Sequence, residues 1–228
     1  MGKESLATDL CVKAADIQWP HIHEDDLVVI AMPVFAGRVP ALAVERLRRV
    51  NPHGAKCVVV AVYGNRAYDD ALLEMLDVAT GMGFRVIAAV GAVAEHSIVR
   101  QYGKGRPDAD DEQVLRRFGA DILSKAERDD CTVPQVPGHR PYKKGGPVPQ
   151  PKGRSGCNRC GACARQCPAD AIPLSDPKRV DAARCISCMR CVSVCPTGAR
   201  RIGAVMHFLA TQGLKKACAA WKENELHL

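Results

Sequence analysis

The sequence is short of aromatic residues, with two tryptophans, four tyrosines and four phenylalanines in 228 residues. Few rings are therefore available to stack on bases, and the chain is not expected to bind nucleic acid. No apolar run approaches the roughly 18–20 residues that would span a bilayer, so no membrane span is expected. The start, Met1-Gly2-Lys3-Glu4-Ser5, lacks the apolar stretch of a signal peptide, and a cytoplasmic location is expected. His96 and Ser97 with Asp69 invite comparison with a hydrolase triad, but no G-x-S-x-G elbow accompanies them. Gly81-Met82-Gly83 reads as a helix stop rather than as a dinucleotide loop.

Cysteine is abundant instead: there are twelve, and eight of them fall between positions 157 and 195. A disulfide scaffold belongs to oxidising compartments and to shorter chains, so this clustering points to metal. Cys157, Cys160, Cys163 and Cys167 form C-x2-C-x2-C-x3-C, followed by Pro168. Cys185, Cys188, Cys191 and Cys195 repeat the pattern, followed by Pro196, and each residue lies 28 positions after its counterpart. Three cysteines at this spacing wrap one iron–sulfur cube, and the fourth reaches across to the other cluster. The spacing thus assigns Cys157, Cys160, Cys163 and Cys195 to one [4Fe-4S] cluster, and Cys185, Cys188, Cys191 and Cys167 to the second. Gly156, Gly161 and Ala162 keep bulk away where backbone N–H groups would meet cluster sulfur. Paired zinc knuckles are the alternative, but zinc has no use for a third cysteine at this spacing followed by x3-C-P. The remaining cysteines divide: Cys11, Cys57 and Cys218 lie in apolar patterns and are expected to be buried, and Cys131 to be exposed.

Residues 1–127 alternate between strand and helix patterns. The runs from Leu27, Cys57 and Arg85 are short, apolar and rich in β-branched residues, as in strands covered on both faces. Helical spacing follows Pro40 and Asp70, and a last helix begins near Asp110 with Val114, Leu115, Phe118 and Ile122 on its inner face. The alternation predicts right-handed βαβ units and an open parallel sheet. Residues 128–155 hold Pro134, Pro137, Pro141, Pro147, Pro149 and Pro151, which forbids helix and predicts an extended basic linker pinned against a domain. Residues 156–202 form the cysteine-rich module, and 203–228 read as a helical tail with Val205, Phe208, Leu209, Leu214 and Trp221 as its apolar positions.

Ligands of an open α/β sheet bind at the carboxyl ends of its strands. Here those loops carry Pro33, Val34, Phe35, Gly37 and Arg38, then Tyr63, Gly64, Asn65, Arg66 and Tyr68. Glycine, aromatic rings and arginine suit a flat ring system; ordinary strand-to-helix turns are the other reading. Residues 156–200, with Cys-Pro-Ala-Asp-Ala-Ile and Cys-Pro-Thr-Gly-Ala, resemble a bacterial-type two-cluster ferredoxin, which implies a small α+β fold of two pseudo-symmetric halves. The two loops, together with Ala94-Glu95-His96-Ser97, Pro137-Gly138-His139-Arg140-Pro141-Tyr142 and Lys222-Glu223-Asn224-Glu225-Leu226, resemble a flavodoxin–ferredoxin fusion of the type found in anaerobes. That resemblance implies flavin mononucleotide (FMN) stacked against both loops.

The chain departs from it at the start, where Gly2-Lys3-Glu4-Ser5-Leu6 reads as a helix running to about Ala15. The first flavodoxin strand and the phosphate loop are missing, which counts against FMN. A truncated or misassigned start, or a variant that has given up FMN, would each account for this. Loss of that central strand predicts a gap between the strands from Leu27 and Cys57. The expected architecture is a flavodoxin-like parallel sheet, incomplete at its start, followed by a two-[4Fe-4S] ferredoxin domain. The expected function is low-potential electron transfer through the clusters, with or without exchange with FMN. A flavin-dependent reductase using the clusters as an internal wire, and a redox-sensing or docking module without flavin, are the competing readings. The net charge of +7 suits a surface facing an acidic redox protein.

Overall fold

A computed structural model describes residues 5–146 and 148–228. Gly2, Lys3, Glu4 and Pro147 lie outside the described residues. Three parallel strands, β1 (Leu27–Pro33), β2 (Lys56–Tyr63) and β3 (Arg85–Val93), form the main sheet in the order β1-β2-β3. Helices α1 (Ala41–Leu47) and α2 (Ala71–Met82) make the two crossovers. Helix α3 (Ala109–Glu127) packs on β3 through Ile122, with Leu115 and Phe118 against the same cluster. Val58 and Ala88 are buried under α3, whereas Val59, Ala89 and Leu72 are buried on the α2 side. Both faces of the central strands are thus covered, which explains why their sequences run apolar without alternation. Gly83 closes α2 at φ +102°, a conformation that glycine adopts without steric cost.

Three expectations fail here. Strands β1 and β2 pair directly from Leu27↔Lys56 to Pro33↔Val62, so no gap separates them. Consecutive strands joined by one short crossover are neighbours by default, and among the described residues no strand pairs with the far side of β1, where Val29 is 62% exposed. Residues 5–13 are not helical; only the single 3₁₀ turn Ala14–Asp16 forms there. The carbonyls of Leu10 and Val12 accept from Arg46 at 2.5 and 2.8 Å, and the Asp9 carboxylate takes the Cys11 N–H at 2.7 Å. These bonds replace the helical ladder. The tail, finally, is helical only in part: after α6 (Ala204–Lys215), Glu225–His227 forms strand β6, antiparallel to β3.

Residues 130–146 form neither helix nor strand and are tied to α2. Asp70 accepts the backbone N–H groups of His139 and Lys143 at 2.9 and 2.7 Å. Arg140 and Tyr142 both bond Asp77. The linker's end, β4 (Lys152–Gly153), pairs with β5 (Arg200–Arg201) and so encloses the cysteine-rich segment in a two-stranded ladder. Arg46, 5% exposed, joins this segment to the main sheet by donating to the Pro168 carbonyl at 2.6 Å. Among the described residues no helix is long and apolar enough to cross a membrane.

Candidate iron–sulfur centre

The 28-residue repeat is visible in the backbone. Arg159 and Ser187 have φ of +59° and +54°, Gly161 and Met189 have +75° and +61°, and Asp170 and Gly198 have +48° and +62°. Each pair is offset by the repeat length. Short helices α4 (Ala162–Arg165) and α5 (Arg190–Ser193) begin at the left-handed residues Gly161 and Met189. Left-handed residues set among right-handed ones turn successive N–H groups to one side and make a concavity suited to anions. Arginine, serine and methionine rarely adopt such angles, and strained backbone of this kind concentrates at functional sites.

Cys157, Cys160, Cys163 and Cys195 line one cavity, together with Gly161, Pro177 and Arg200. The fourth thiol of that group therefore comes from the second repeat. Cys160 is exposed, Cys157 and Cys195 are half-buried and Cys163 is buried. In the other group, Cys188 lies within electrostatic range of Cys167 and Cys185, and Cys191 within range of Cys188 and Cys185. Cys167, from the first repeat, is buried with Cys191, Ala171 and Ile172. Burial raises the thiols of Cys163 and Cys188, and that of Cys191 to about 11. At Cys195 burial acts upward, but the N–H groups of Arg200, Thr197 and Ala199 and the Thr197 side chain outweigh it and lower the thiol. The amide donors around Cys195, the soft sulfur ligands and the strained loops fit a cluster held by thiolates.

The loops predicted to hold FMN are engaged elsewhere. Val34 N–H bonds the Val62 carbonyl, and Phe35 and Arg38 close a tight turn through Ala36 and Gly37. Arg38 pairs with Glu74, donates to the Lys143 carbonyl and lies 4.7 Å over the Tyr142 ring. Tyr63 and Tyr68 are 3% and 7% exposed and meet edge to face, and the Tyr68 hydroxyl bonds Glu225. Asn65, also buried, donates to the carbonyls of Cys218 and Ala220 and accepts from the Lys222 N–H. Gly64 presses on His96, and Arg66 pairs with Asp69. Pro33 and Phe35 remain half-buried beside the groove along β1. Arg38, Asn65 and Tyr68 are thus engaged by α2, the linker and the tail, an arrangement that does not favour FMN.

Of the other cysteines, Cys57 and Cys218 are buried as expected, and burial pushes the Cys57 thiol up to about 12. Cys11, expected to be buried, is exposed, and Cys131 is half-buried.

Residues 156–199 match the family model of the 4Fe-4S dicluster domain. Over 49 residues the chain is 43% identical to the ferredoxin-like protein in the nif region of Sinorhizobium fredii, covering 18% of this chain and 77% of that protein. Through this region the chain belongs to the 4Fe-4S dicluster ferredoxins. The methylamine utilization ferredoxin-type protein MauM of Methylophilus methylotrophus is 31% identical over 98 residues, 38% of this chain. The chain spans only 40% of that relative's length. No solved structure matches significantly.

Two residues of this ferredoxin region and its surroundings escaped the sequence reading. Arg46 gave no signal, since an arginine in an Arg-rich helix reads as solvated. Arg200 did leave one. It sits 28 positions after Ile172, so the repeat places an arginine where its other half has a buried isoleucine.

Proposed function

We propose that the chain is an electron carrier with two [4Fe-4S] clusters, the first on Cys157, Cys160, Cys163 and Cys195 and the second on Cys185, Cys188, Cys191 and Cys167. The observation that carries this reading is the cavity that gathers Cys195 with the three cysteines of the other repeat. Each cluster supplies one-electron chemistry when bound. The chain's own part is to hold the thiolates, aim N–H groups at them and exclude water from the inner face. Cys163, Cys167 and Cys191 are buried, and Cys160 is exposed. Electrons therefore leave by the Cys160 side.

Exposed Arg159, next to Cys160 in the chain, and exposed Arg165, which donates to the Cys160 carbonyl at 3.0 Å, sit on that side and favour an acidic redox protein as partner. Because the loops after β1 and β2 are occupied, the carrier works without FMN, and neither a flavin reductase nor a flavin relay is needed. Anaerobic coulometric titration tests the reading: uptake of about two electrons per chain, one per cluster, is expected. Absence of any low-potential electron uptake by iron-loaded protein would refute it. Reduction of an acidic acceptor should also slow steeply with added salt.

A further inference from the structure

Arg200 is 2% exposed and is the largest of the fully buried side chains. Its Nη1 donates to the Pro177 carbonyl at 2.6 Å and its Nη2 to the Arg179 carbonyl at 3.1 Å. The guanidinium is therefore fixed from one side by the loop that joins the two repeats. On the other side it lines the cavity of Cys157, Cys160, Cys163 and Cys195. It shares that cavity with Cys163 and also lies beside Cys191 of the other set. Its buried Nε–H has no acceptor among the described residues.

A buried arginine without a carboxylate is costly unless some other negative charge faces it. The pseudo-symmetric position supplies the comparison. Ile172, 5% exposed, fills the equivalent site in the first repeat with no charge at all. The fold therefore does not demand a cation there. The two thiolate-ligated clusters are the negative charge in reach, and each becomes more negative on reduction.

We propose that Arg200 is a shared counter-ion for both clusters, a positioning residue that stabilises the reduced state of each and directs its Nε–H at cluster sulfur. This rests on the two-cluster reading above. A fixed cation in a low-dielectric site favours the state with more negative charge, so Arg200 raises both reduction potentials. It also offsets repulsion between the two reduced clusters, so its removal widens the separation between the first and second reductions.

Anaerobic protein-film voltammetry of the full chain tests this, alongside iron and sulfide counts, for wild type, Arg200→Lys, Arg200→Gln and Arg200→Ile. Full iron with both potentials shifted to more negative values is expected in the two neutral variants, and near-wild-type potentials in Arg200→Lys. Unshifted potentials in a neutral variant that keeps its iron would overturn the proposal. If the neutral variants lose iron, pulsed EPR on reduced protein labelled with ¹⁵N in its arginine guanidinium groups decides. A ¹⁵N coupling that persists in Arg165→Gln supports the assignment, and its absence refutes it. A wild-type protein without iron would instead sink the two-cluster reading, and this proposal with it.

Discussion

Replacing Asp111 with asparagine should destabilise the protein severely, because it breaks the latch that ties the C-terminal tail to the main sheet. Arg106 and Asp111 are both 4% exposed and face each other as a two-pronged ion pair, with Arg106 Nε donating to Oδ2 at 2.8 Å. Asp111 also accepts from the Asp108 N–H at 3.0 Å, completing the capping box of α3, and from Asn224 Nδ2 at 2.8 Å. Asn224 in turn takes the Val93 N–H at 2.8 Å, beside strand β6. Arg106 donates to the Lys222 carbonyl and lies 4.2 Å from the Trp221 ring centroid.

An amide in place of the carboxylate keeps the shape but leaves the guanidinium buried and unpaired. The cost of breaking such a pair is about 3–5 kcal/mol, a large part of the roughly 5–15 kcal/mol that holds a domain together. Glu112→Gln is the control, since its pair with Arg116 is exposed and worth only about 0.3–0.5 kcal/mol. Urea unfolding under anaerobic conditions measures both, and hydrogen exchange at Leu226 reports release of β6. An Asp111→Asn protein within about 1 kcal/mol of wild type would refute the latch, since a change that small is what a surface substitution gives.

Three further outcomes follow from the same structure. Arg106 first, then the Asp108 N–H and Asn224, hold the Asp111 carboxyl down at about 2, against an ordinary 3.8. A depressed carboxyl stabilises the fold above its unfolded value, so this contribution should be lost as pH falls from about 4 to about 2. The corresponding part of the acid slope in urea midpoints should vanish in Asp111→Asn. A Cβ at Gly64 would lie 2.6 Å from the His96 Cα, so Gly64→Ala should cost about 1–3 kcal/mol and lower the Tm by several degrees. FMN added to the iron-loaded protein should give no quenching of flavin fluorescence at micromolar concentrations. Tight binding there would show that the tail yields its place over Tyr68 and Asn65.

The cysteine module was legible because ligation fixes both residue type and spacing. A 28-residue repeat with C-x2-C-x2-C-x3-C-P leaves few other readings, and the 4Fe-4S dicluster family match agrees with it. The three parallel strands and their helices were legible too, since strands buried on both faces must run apolar. What escaped was long-range and polar. The helix expected before Ala15 is prevented by Arg46, 30 and more positions away in the chain, which takes the carbonyls of Leu10 and Val12. Strand β6 has only three residues, too few for a pattern, and is held by Leu226 against the sheet and by Asn224 and Tyr68. The glycine and aromatic inventory of the two loops looked like a ligand cradle, yet Asn65 and Tyr68 bind the chain's own tail. Residue types alone do not distinguish a ligand from an internal partner.

Iron and sulfide counted per chain, in wild type and in Cys157→Ser/Cys195→Ser after anaerobic purification, test the central claim most directly. The account predicts about eight of each in wild type and about four in the variant, the survivors being the cluster on Cys185, Cys188, Cys191 and Cys167. Zinc in place of iron, or a Cys157→Ser/Cys195→Ser protein that loses both clusters instead of keeping about four irons, would contradict it.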